Sequence, residues 1–279
     1  REHLPGVKTT GYDADETVRQ RAGELELVDR VADDPIDAVT GADLVILATP
    51  VGAMKAAAKA IAPGLEIDTV ISDVGSSKRT ITRDLAEALP QHIVIPAHPV
   101  AGTEDSGPDA GFATLFHQRW CIITPPLDTD GEKIAALVHF WEELGAMVEI
   151  MDADHHDRVL AVTSHIPHLI AYTIVGTASD LEEVTRSEVI KFSAGGFRDF
   201  TRIAASDPVM WRDVFLHNRE AVLEMMDRFL TDLALMREAI KAGDGETMQE
   251  AFTRTRAIRR SIVALGQDED RPDFGRGTD

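Results

Sequence analysis

Two polar segments of the sequence carry side chains suited to removing a proton from an alcohol. Ser77 lies in ISDVGSSK at 71–78, and His98 and Glu104 lie in IPAHPVAGTEDSG at 95–107. Each segment joins β-branched residues to a glycine-containing turn, which is how a parallel α/β sheet presents side chains at the carboxyl ends of its strands. Imidazole titrates near neutral pH, so His98 could accept the proton while the Ser77 hydroxyl orients the same alcohol. These residues indicate oxidation of an alcohol with loss of hydride.

Ser77 and His98 each have a structural explanation as well. Ser77 directly precedes a predicted helix, where serine commonly caps the first turn. His98 is followed by Pro99, so its imidazole could simply be fixed by the geometry of a His-Pro turn, and short motifs of this kind often occur by chance. The residues alone leave both explanations open.

The first half of the chain alternates predicted strands and helices joined by short turns. The apolar run at 43–48 is continuous rather than alternating, which indicates a strand buried on both faces of a parallel sheet. This alternation predicts a doubly wound α/β domain over residues 1–151. The other predicted strands are 7–12, 69–73, 92–96, 120–124 and 146–150, and the predicted helices are 16–22, 35–40, 52–62, 79–89 and 131–144.

The second half of the chain has a helical pattern. An apolar helix is predicted over 152–176, with a kink at Pro167. Ser206-Asp207-Pro208 begins another helix, in which apolar residues recur every three or four positions for about nine turns. This stripe runs through Trp211, Val214, Asn218, Val222, Met225, Phe229, Leu233, Met236 and Ile240.

A last helix is predicted after Gly243 and Gly245. Two long amphipathic helices offer more apolar surface than one small domain can cover, so we expect a homodimer formed through them. The pattern therefore predicts a helical domain over 152–266, followed by a disordered polar tail over 267–279.

Two turns of the α/β domain are expected to contact a dinucleotide. Asp13 follows the strand at 7–12, where such folds place an acid against the ribose hydroxyls, and an acid there favours NAD over NADP. The alternative is an exposed acid that caps the next helix. The turn Thr49-Pro50-Val51 is expected to pass beneath the ribose and nicotinamide, and Gly75, next to the Ser77 turn, is assigned to the cofactor too.

The glycine motif of a dinucleotide-binding fold does not precede the strand at 7–12. In such folds a first strand and a GxGxxG loop come before this point. We therefore expect about 20–30 residues of the domain to be missing from this chain.

The helical half carries three polar clusters. Arg198 and Arg202 lie four apart and could clamp an anion, since guanidinium binds carboxylate bidentately, although an internal Arg–Asp network would look the same. His165 and His168 lie three apart, and without a third ligand we expect one to pack and the other to face a cleft. The residues 154–157 are interpreted as a solvated first helical turn. No metal site is predicted.

Composition excludes several classes of function. The net charge is −20, from 28 basic and 48 acidic residues, which opposes binding to nucleic acid. The single cysteine, Cys121, cannot form an internal disulfide and suits a reducing cytoplasm. The apolar runs are strand-sized, well below the ~20 residues of a membrane span, and no charged-then-apolar leader is present. We expect a cytoplasmic protein without a membrane segment.

Taken together, the motifs resemble those of the prephenate/arogenate dehydrogenase family. ISDVGSSK, HPVAGTEDSG, TSHIPH, GGFRDFTRIAASDP and Trp211 occur in the order and spacing of that family, from Val7 to about Leu265. The resemblance implies a Rossmann-type parallel-sheet domain followed by an all-α dimerisation domain. It also implies NAD-dependent oxidative decarboxylation of prephenate, or of its transaminated relative arogenate, in tyrosine biosynthesis.

The resemblance also implies roles for individual residues. His98 is the expected catalytic base on the ring hydroxyl, with Ser77 beside it near the nicotinamide, and Arg202 is expected to bind the ring carboxylate. The other expected substrate-binding residues are Thr103, Glu104, Ser164, His168 and Trp211.

Two alternatives to this function stay open. An arogenate-preferring enzyme is one, because Glu104 could pair with an ammonium group as easily as it could organise Arg202. A non-catalytic dimeric module that kept the helices and lost the cofactor loop is the other.

Overall fold

Most strands of the first half are parallel, as the continuous apolar runs predict. The computed structural model describes residues 4–102, 106–180 and 195–264. β1 pairs with β2, β4 lies between β3 and β5, and β7 lies between β6 and β8. All of these pairs are parallel except β6–β7. The strands are β1 Thr10–Gly11, β2 Arg30–Val31, β3 Leu44–Leu47, β4 Val70–Asp73, β5 Ile93–Val94, β6 Ala97–Pro99, β7 Trp120–Ile123 and β8 Met147–Ile150.

Three of the five helices between these strands begin at an acidic N-cap. Asp15, Asp34 and Asp130 each accept a hydrogen bond from a first-turn amide, as N-cap residues do. Apolar side chains of the strands and helices form two buried clusters, one around Met54 and Ile71 and one around Trp141. The helices are α1 Glu16–Glu24, α2 Pro35–Val39, α3 Met54–Ile61, α4 Lys78–Ala88 and α5 Gly131–Glu143.

His98 lies inside a short strand and not in the turn that the sequence predicts. The parallel ladder of β5 ends at Ile95, whose amide still bonds to Ile71. Pro96 has no amide hydrogen to continue that ladder. The chain therefore crosses into β6, which runs antiparallel to β7 and places His98 opposite Ile122. As a result the His98 side chain is buried.

A continuous helical stretch carries the histidine-rich segment of the second half. It consists of α6 Ala153–Leu160, a π-turn at Ala161–His165 and α7 Ile166–Ser179. Pro167 removes one amide and crowds the carbonyl four residues earlier, and widening the preceding turn relieves that contact. The irregularity that the sequence predicts at Pro167 is thus present as a π-turn on its N-terminal side.

By length and composition, residues 153–179 would also be sufficient to cross a membrane. This stretch contains the buried side chains of His156, Asp157 and His165, which hydrogen-bond to other elements of the fold. Ionisable groups with such partners are typical of a core helix as well as of a membrane pathway. The predicted absence of a membrane segment stays a prediction.

The helix predicted from residue 208 to residue 240 is interrupted at Asn218, so the prediction of one continuous helix was wrong. Asn218 has φ −110° and ψ 29°, outside the range of a regular helix. Gly243, with φ +68°, follows the end of the next helix. The remaining helices are α8 Gly195–Thr201, α9 Pro208–His217, α10 Arg219–Ala242 and α11 Gly245–Ala264.

Contacts divide the chain into two compact units, residues 1–225 and 226–279. The first contains the sheet and every polar cluster considered below. The second contains exposed apolar side chains on α10 and α11, among them Leu230, Leu233, Phe252 and Ile258. The predicted domains 1–151 and 152–266 stay a prediction, and the tail over 267–279 lies outside the described residues.

Candidate active site

His98 ends a chain of three buried polar groups. Its Nδ1 lies 2.8 Å from Nε2 of His156, and Nδ1 of His156 lies 2.8 Å from Oδ1 of Asp157. The two rings meet edge to face, with centroids 5.1 Å apart and planes at 66°. The exposed fractions of the three residues are 8%, 0% and 3%. The arrangement leaves Nε2 as the nitrogen of His98 that is available for another partner.

The environment of His98 favours the neutral imidazole. Burial lowers the pKa of His98 well below its usual 6.5, and the neighbouring His156, Lys78 and His165 act in the same direction. A low dielectric disfavours the charged form of a base. His98 is therefore unprotonated near neutral pH and able to accept a proton.

A buried ion pair fixes the backbone immediately before His98. Lys78 Nζ donates to Asp73 Oδ2 and to the carbonyl oxygen of Ala97, both at 2.5 Å. Asp73 accepts in turn from the amides of Ala97, at 3.2 Å, and Gly75, at 2.8 Å. Both backbone polar groups of Ala97 are thus held by one pair of charges. The sequence did not predict this role for Asp73 and Lys78.

Ser77 occupies the N-cap position of α4, but its side chain makes no capping hydrogen bond. Asp157 supplies the cap, because its two carboxylate oxygens accept from the amides of Lys78, at 2.7 Å, and Arg79, at 3.1 Å. The capping explanation of Ser77 is therefore wrong. In the part of the chain that the structure describes, its buried Oγ has no hydrogen-bond partner, and buried hydroxyls normally have one.

The second polar cluster is built around Trp211 on α9. His168 stacks on the indole, with ring centroids 3.6 Å apart, and His165 meets it edge-on at 6.1 Å. Burial lowers the pKa of His168, and the positive charge of Arg202 lowers it further, so that guanidinium is close enough to act on it. Within the described residues, Trp211 Nε1 and His165 Nε2 are buried without a partner.

Asn218 connects the two clusters. Its Nδ2 donates to the backbone oxygen of Asp157, at 2.8 Å, and lies 3.1 Å from Nδ1 of His165. His165 also acts electrostatically on His98 and His156. His98 and the Trp211 cluster therefore belong to one network within the first unit.

The predicted substrate residues differ in what the structure places around them. His168 and Trp211 are stacked, and Arg202 lies in a turn that packs against the helix carrying His168. Ser164 contributes its backbone oxygen, which accepts from His168 Nδ1 at 2.9 Å. Arg198 is exposed and faces Asp199 at 4.0 Å, so the structure does not join it to Arg202. Thr103 and Glu104 lie outside the described residues.

The turn predicted to pass beneath the cofactor lies against α9. A Cβ on Gly52 would come within 2.7 Å of Asp213 Oδ2, so a larger residue there would require the Asp213 side chain to move. Thr49 Oγ1 is buried and has no partner among the described residues. Val51 is buried in the core, whereas Pro50 is exposed.

The other two predicted cofactor residues have clear local environments. A Cβ on Gly75 would lie 2.3 Å from Ile81 Cδ1, so a larger residue there would displace a side chain of the core. Asp13 is exposed, and its Oδ1 accepts from the amide of Asp15, which is the residue that caps α1. Cofactor roles for both residues stay predictions.

The interpretation of residues 154–157 as a solvated turn was wrong for His156 and Asp157, which are buried. The spacing in the sequence relates only Asp157, and not His156, to other buried residues of the helix, and it does not itself indicate burial. Asp157, Ala161 and His165 recur at intervals of four and therefore share one face of a helix. Asp154 and His155 are exposed, as the interpretation predicts. Within the described ranges, no cluster of three His, Cys, Asp or Glu residues could hold a metal.

Family models match nearly the whole chain. The model for the nucleotide-binding domain of prephenate dehydrogenase matches residues 1–150, and the model for the dimerization domain of the same family matches residues 152–254. The chain belongs to the prephenate dehydrogenase family. The Rossmann-type sheet domain followed by helices, predicted from the sequence, is confirmed.

Individual prephenate dehydrogenase relatives cover most of the chain. Cyclohexadienyl dehydrogenase of Zymomonas mobilis is 46% identical over 268 residues, covering 96% of this chain and 90% of that protein. Prephenate dehydrogenase of Bacillus subtilis is 33% identical, covering 92% and 70%. The crystal structure of prephenate dehydrogenase from Aquifex aeolicus, in complex with hydroxyphenyl propionate and NAD+, superposes with a TM-score of 0.87 at 32% identity, covering 94% and 91%.

The residues of this prephenate dehydrogenase family member fit a bound nicotinamide nucleotide. Thr49 Oγ1 and Ser77 Oγ are buried hydroxyls that the described protein atoms leave unsatisfied. Buried polar groups are nearly always hydrogen-bonded, so both have a bond to offer a ligand.

Proposed function

We propose that this protein is a homodimeric, cytoplasmic enzyme that converts prephenate to 4-hydroxyphenylpyruvate with NAD in tyrosine biosynthesis. The observation that carries the proposal is a neutral, buried imidazole at His98, in one network with Trp211 and His168. The ligands of the Aquifex aeolicus relative, hydroxyphenyl propionate and NAD+, are consistent with it.

In the proposed reaction His98 acts as the general base. When bound, the nicotinamide accepts the hydride that leaves the carbon bearing the hydroxyl group. His98 Nε2 removes the hydroxyl proton as the carbon–oxygen double bond forms, and Ser77 orients that hydroxyl. The ring carboxylate leaves as carbon dioxide, and its bonding electrons pass through the ring to the carbonyl oxygen. That oxygen takes the proton back from His98 to give the phenol, and the ring becomes aromatic.

Arg202 is proposed to hold the ring carboxylate. It lies in the turn Arg202–Ala205, partly buried and close to His168. A guanidinium orients a carboxylate by directional hydrogen bonds. It forms no covalent or coordinate bond that would have to break when the carboxylate leaves. The stacked His168–Trp211 pair offers a flat surface for the ring.

NAD is proposed over NADP because of Asp13. An exposed carboxylate two residues beyond β1 would repel a 2′-phosphate. Arogenate remains the alternative substrate, since the most informative predicted residue, Glu104, lies outside the described residues. The Zymomonas mobilis relative carries the broader name cyclohexadienyl dehydrogenase.

Turnover by the full-length protein tests the proposal. Prephenate and arogenate are each supplied with NAD+ or NADP+, and the reduced nicotinamide and the aromatic product are both measured. We expect the highest kcat/KM with prephenate and NAD+. His98→Asn should reduce kcat by about 10²- to 10⁴-fold, the usual contribution of a general base. Folded wild-type protein that turns over neither substrate would overturn the proposal, and a higher kcat/KM with arogenate would replace its substrate.

A further inference from the structure

The carboxylate of Asp157 is surrounded by hydrogen-bonding groups of two elements. Its carboxylate receives the backbone amides of Lys78 and Arg79 at the N-terminus of α4, where the helix dipole favours negative charge. It also faces Nδ1 of His156 at 2.8 Å. An ionised carboxylate accepts hydrogen bonds only, so it has no proton to give to the ring.

The charge on Asp157 determines which nitrogens carry hydrogen in the two rings. Nδ1 of His156 must be the donor to the carboxylate, so Nε2 of a neutral His156 is an acceptor. Burial lowers the pKa of His156, which keeps it neutral. Nδ1 of His98 must then donate to that nitrogen across 2.8 Å. The lone pair of a neutral His98 consequently lies on Nε2.

The same chain of hydrogen bonds accommodates the charge that catalysis creates. When the substrate proton arrives on Nε2, His98 becomes an imidazolium and keeps its Nδ1–H bond to His156. The negative charge at the other end of the chain opposes the unfavourable effect of nearby Lys78. No proton needs to move to Asp157.

We propose that His156 and Asp157 are positioning residues that hold the catalytic base His98 in its proton-accepting tautomer. The proposal rests on the proposed function for the identity of the base. Its geometry has the logic of a serine-protease triad, in which a buried carboxylate fixes a histidine tautomer, but with a second imidazole inserted between carboxylate and base.

Nuclear magnetic resonance tests the tautomers directly in the wild-type protein. Histidine labelled with ¹⁵N gives different nitrogen shifts for protonated and unprotonated ring nitrogens, and the His98 signals are identified by their loss in His98→Asn. We expect Nδ1–H and an unprotonated Nε2 on both His98 and His156 near neutral pH. A hydrogen on Nε2 of His98 would overturn the proposal. This result does not depend on which substrate the enzyme uses.

Substitution of His156 tests the kinetic consequence. His156→Leu removes the acceptor for His98 Nδ1 and should lower kcat by about 10²- to 10⁴-fold, as loss of the orienting carboxylate does in a triad. KM should stay within about twofold, since neither His156 nor Asp157 contacts substrate in this scheme. His156→Gln can offer an amide oxygen to His98 and should recover at least part of the loss. His155→Leu, at the exposed neighbouring histidine, is the matched control and should retain wild-type kcat.

A double substitution separates positioning from a general structural role. If His156 acts only through His98, His156→Leu should cause no further loss of residual turnover in the His98→Asn background. A further loss of the same size there would overturn the proposal. So would equal kcat for the Leu and Gln variants, or wild-type kcat in His156→Leu. Absence of turnover in the wild-type enzyme would instead refute the proposed function and leave the tautomer result standing.

Discussion

At the start of α4, the residue at the N-cap position and the residue that caps the helix amides are different residues. Ser77 has the position of a helix cap, and Asp157, from α6, makes the capping hydrogen bonds to α4. The hydroxyl is thereby left unpaired in a buried place next to the ion pair that fixes β6. Because Ser77 does not cap α4, its hydroxyl can bond to a ligand without the loss of a capping hydrogen bond.

Ser77→Ala should therefore affect activity and leave stability nearly unchanged. Loss of a hydrogen bond to a group that develops charge costs about 1.5–3 kcal/mol, so we expect kcat to fall about 10- to 100-fold. The urea midpoint should not move, because no hydrogen bond among the described residues is lost. The matched control is Ser76→Ala, one residue earlier, with wild-type kcat expected. A lowered midpoint with unchanged kcat would show that Ser77 is structural.

The sequence could predict individual reactive groups but not the residues that hold them. His98 and Ser77 stand out because each follows a strand in a polar, glycine-containing segment. His156 and Asp157 did not, since charged residues at a helix start are usually solvated. Their burial arises from packing of α6 against α4, across a sequence separation of 79 residues between Asp157 and Lys78. The spacing of apolar residues along the sequence contains no information about a contact between segments so far apart.

At the scale of elements, the break between α9 and α10 comes from a side chain and not from a helix-breaking residue. The apolar period continues through Asn218, so the pattern predicts an unbroken helix. The fold instead uses Asn218 Nδ2 to bond the backbone of Asp157 and the ring of His165. Similarly, the prediction of α1 to α5 was confirmed within a few residues, whereas the antiparallel β6 depends on Pro96 and on pairing with β7.

Asn218→Leu should destabilise the fold even though leucine completes the apolar stripe. Leucine gains a few tenths of a kcal/mol in helix propensity. Against this, buried His165 Nδ1 loses its donor and the backbone oxygen of Asp157 loses one of its two, at a cost of about 1–3 kcal/mol. We expect a lower free energy of unfolding in urea titrations. Leu216→Ala, at an exposed position of α9, serves as control and should change it by less than about 0.5 kcal/mol. Increased stability of Asn218→Leu would mean that the break is incidental.

On the scale of the whole molecule, the exposed apolar surface of the second unit and the free thiol follow from the sequence more directly than the site does. The exposed leucines and Phe252 of α10 and α11 agree with a surface that a second copy covers, as we propose. The single Cys121 is a buried free thiol, and burial raises its pKa to about 12, so it is unreactive at neutral pH. These properties depend on composition and period, whereas the site depends on contacts between distant segments.

The three buried histidines of the network should make the whole protein less stable in mild acid. Burial lowers the pKa of His98 and His156 below 6.5, and that of His165 to about 4. Below pH 6.5 these histidines bind protons in the unfolded chain but not in the folded chain. The free energy of unfolding therefore decreases as the pH is lowered, by up to about 1.4 kcal/mol per pH unit for each histidine. The stability that the neutral histidines contribute is fully present above pH 6.5 and is lost as the pH falls towards their pKa values in the folded protein.

Urea unfolding between pH 8 and about 5, above the range where ordinary carboxylates titrate, should show this loss. His165→Asn preserves an acceptor for Asn218 but removes one titrating group, so its stability should depend less steeply on pH. His155→Gln, at an exposed histidine, should keep the wild-type slope. Because the unfolded chain takes up these protons only below pH 6.5, the difference in slope between the two variants must appear below pH 6.5 and vanish above it. Equal slopes in both variants would show that the pKa of His165 is not lowered in the folded protein. A wild-type curve that is flat across this range would show the same for all three buried histidines, and His98 would then not be the neutral base proposed.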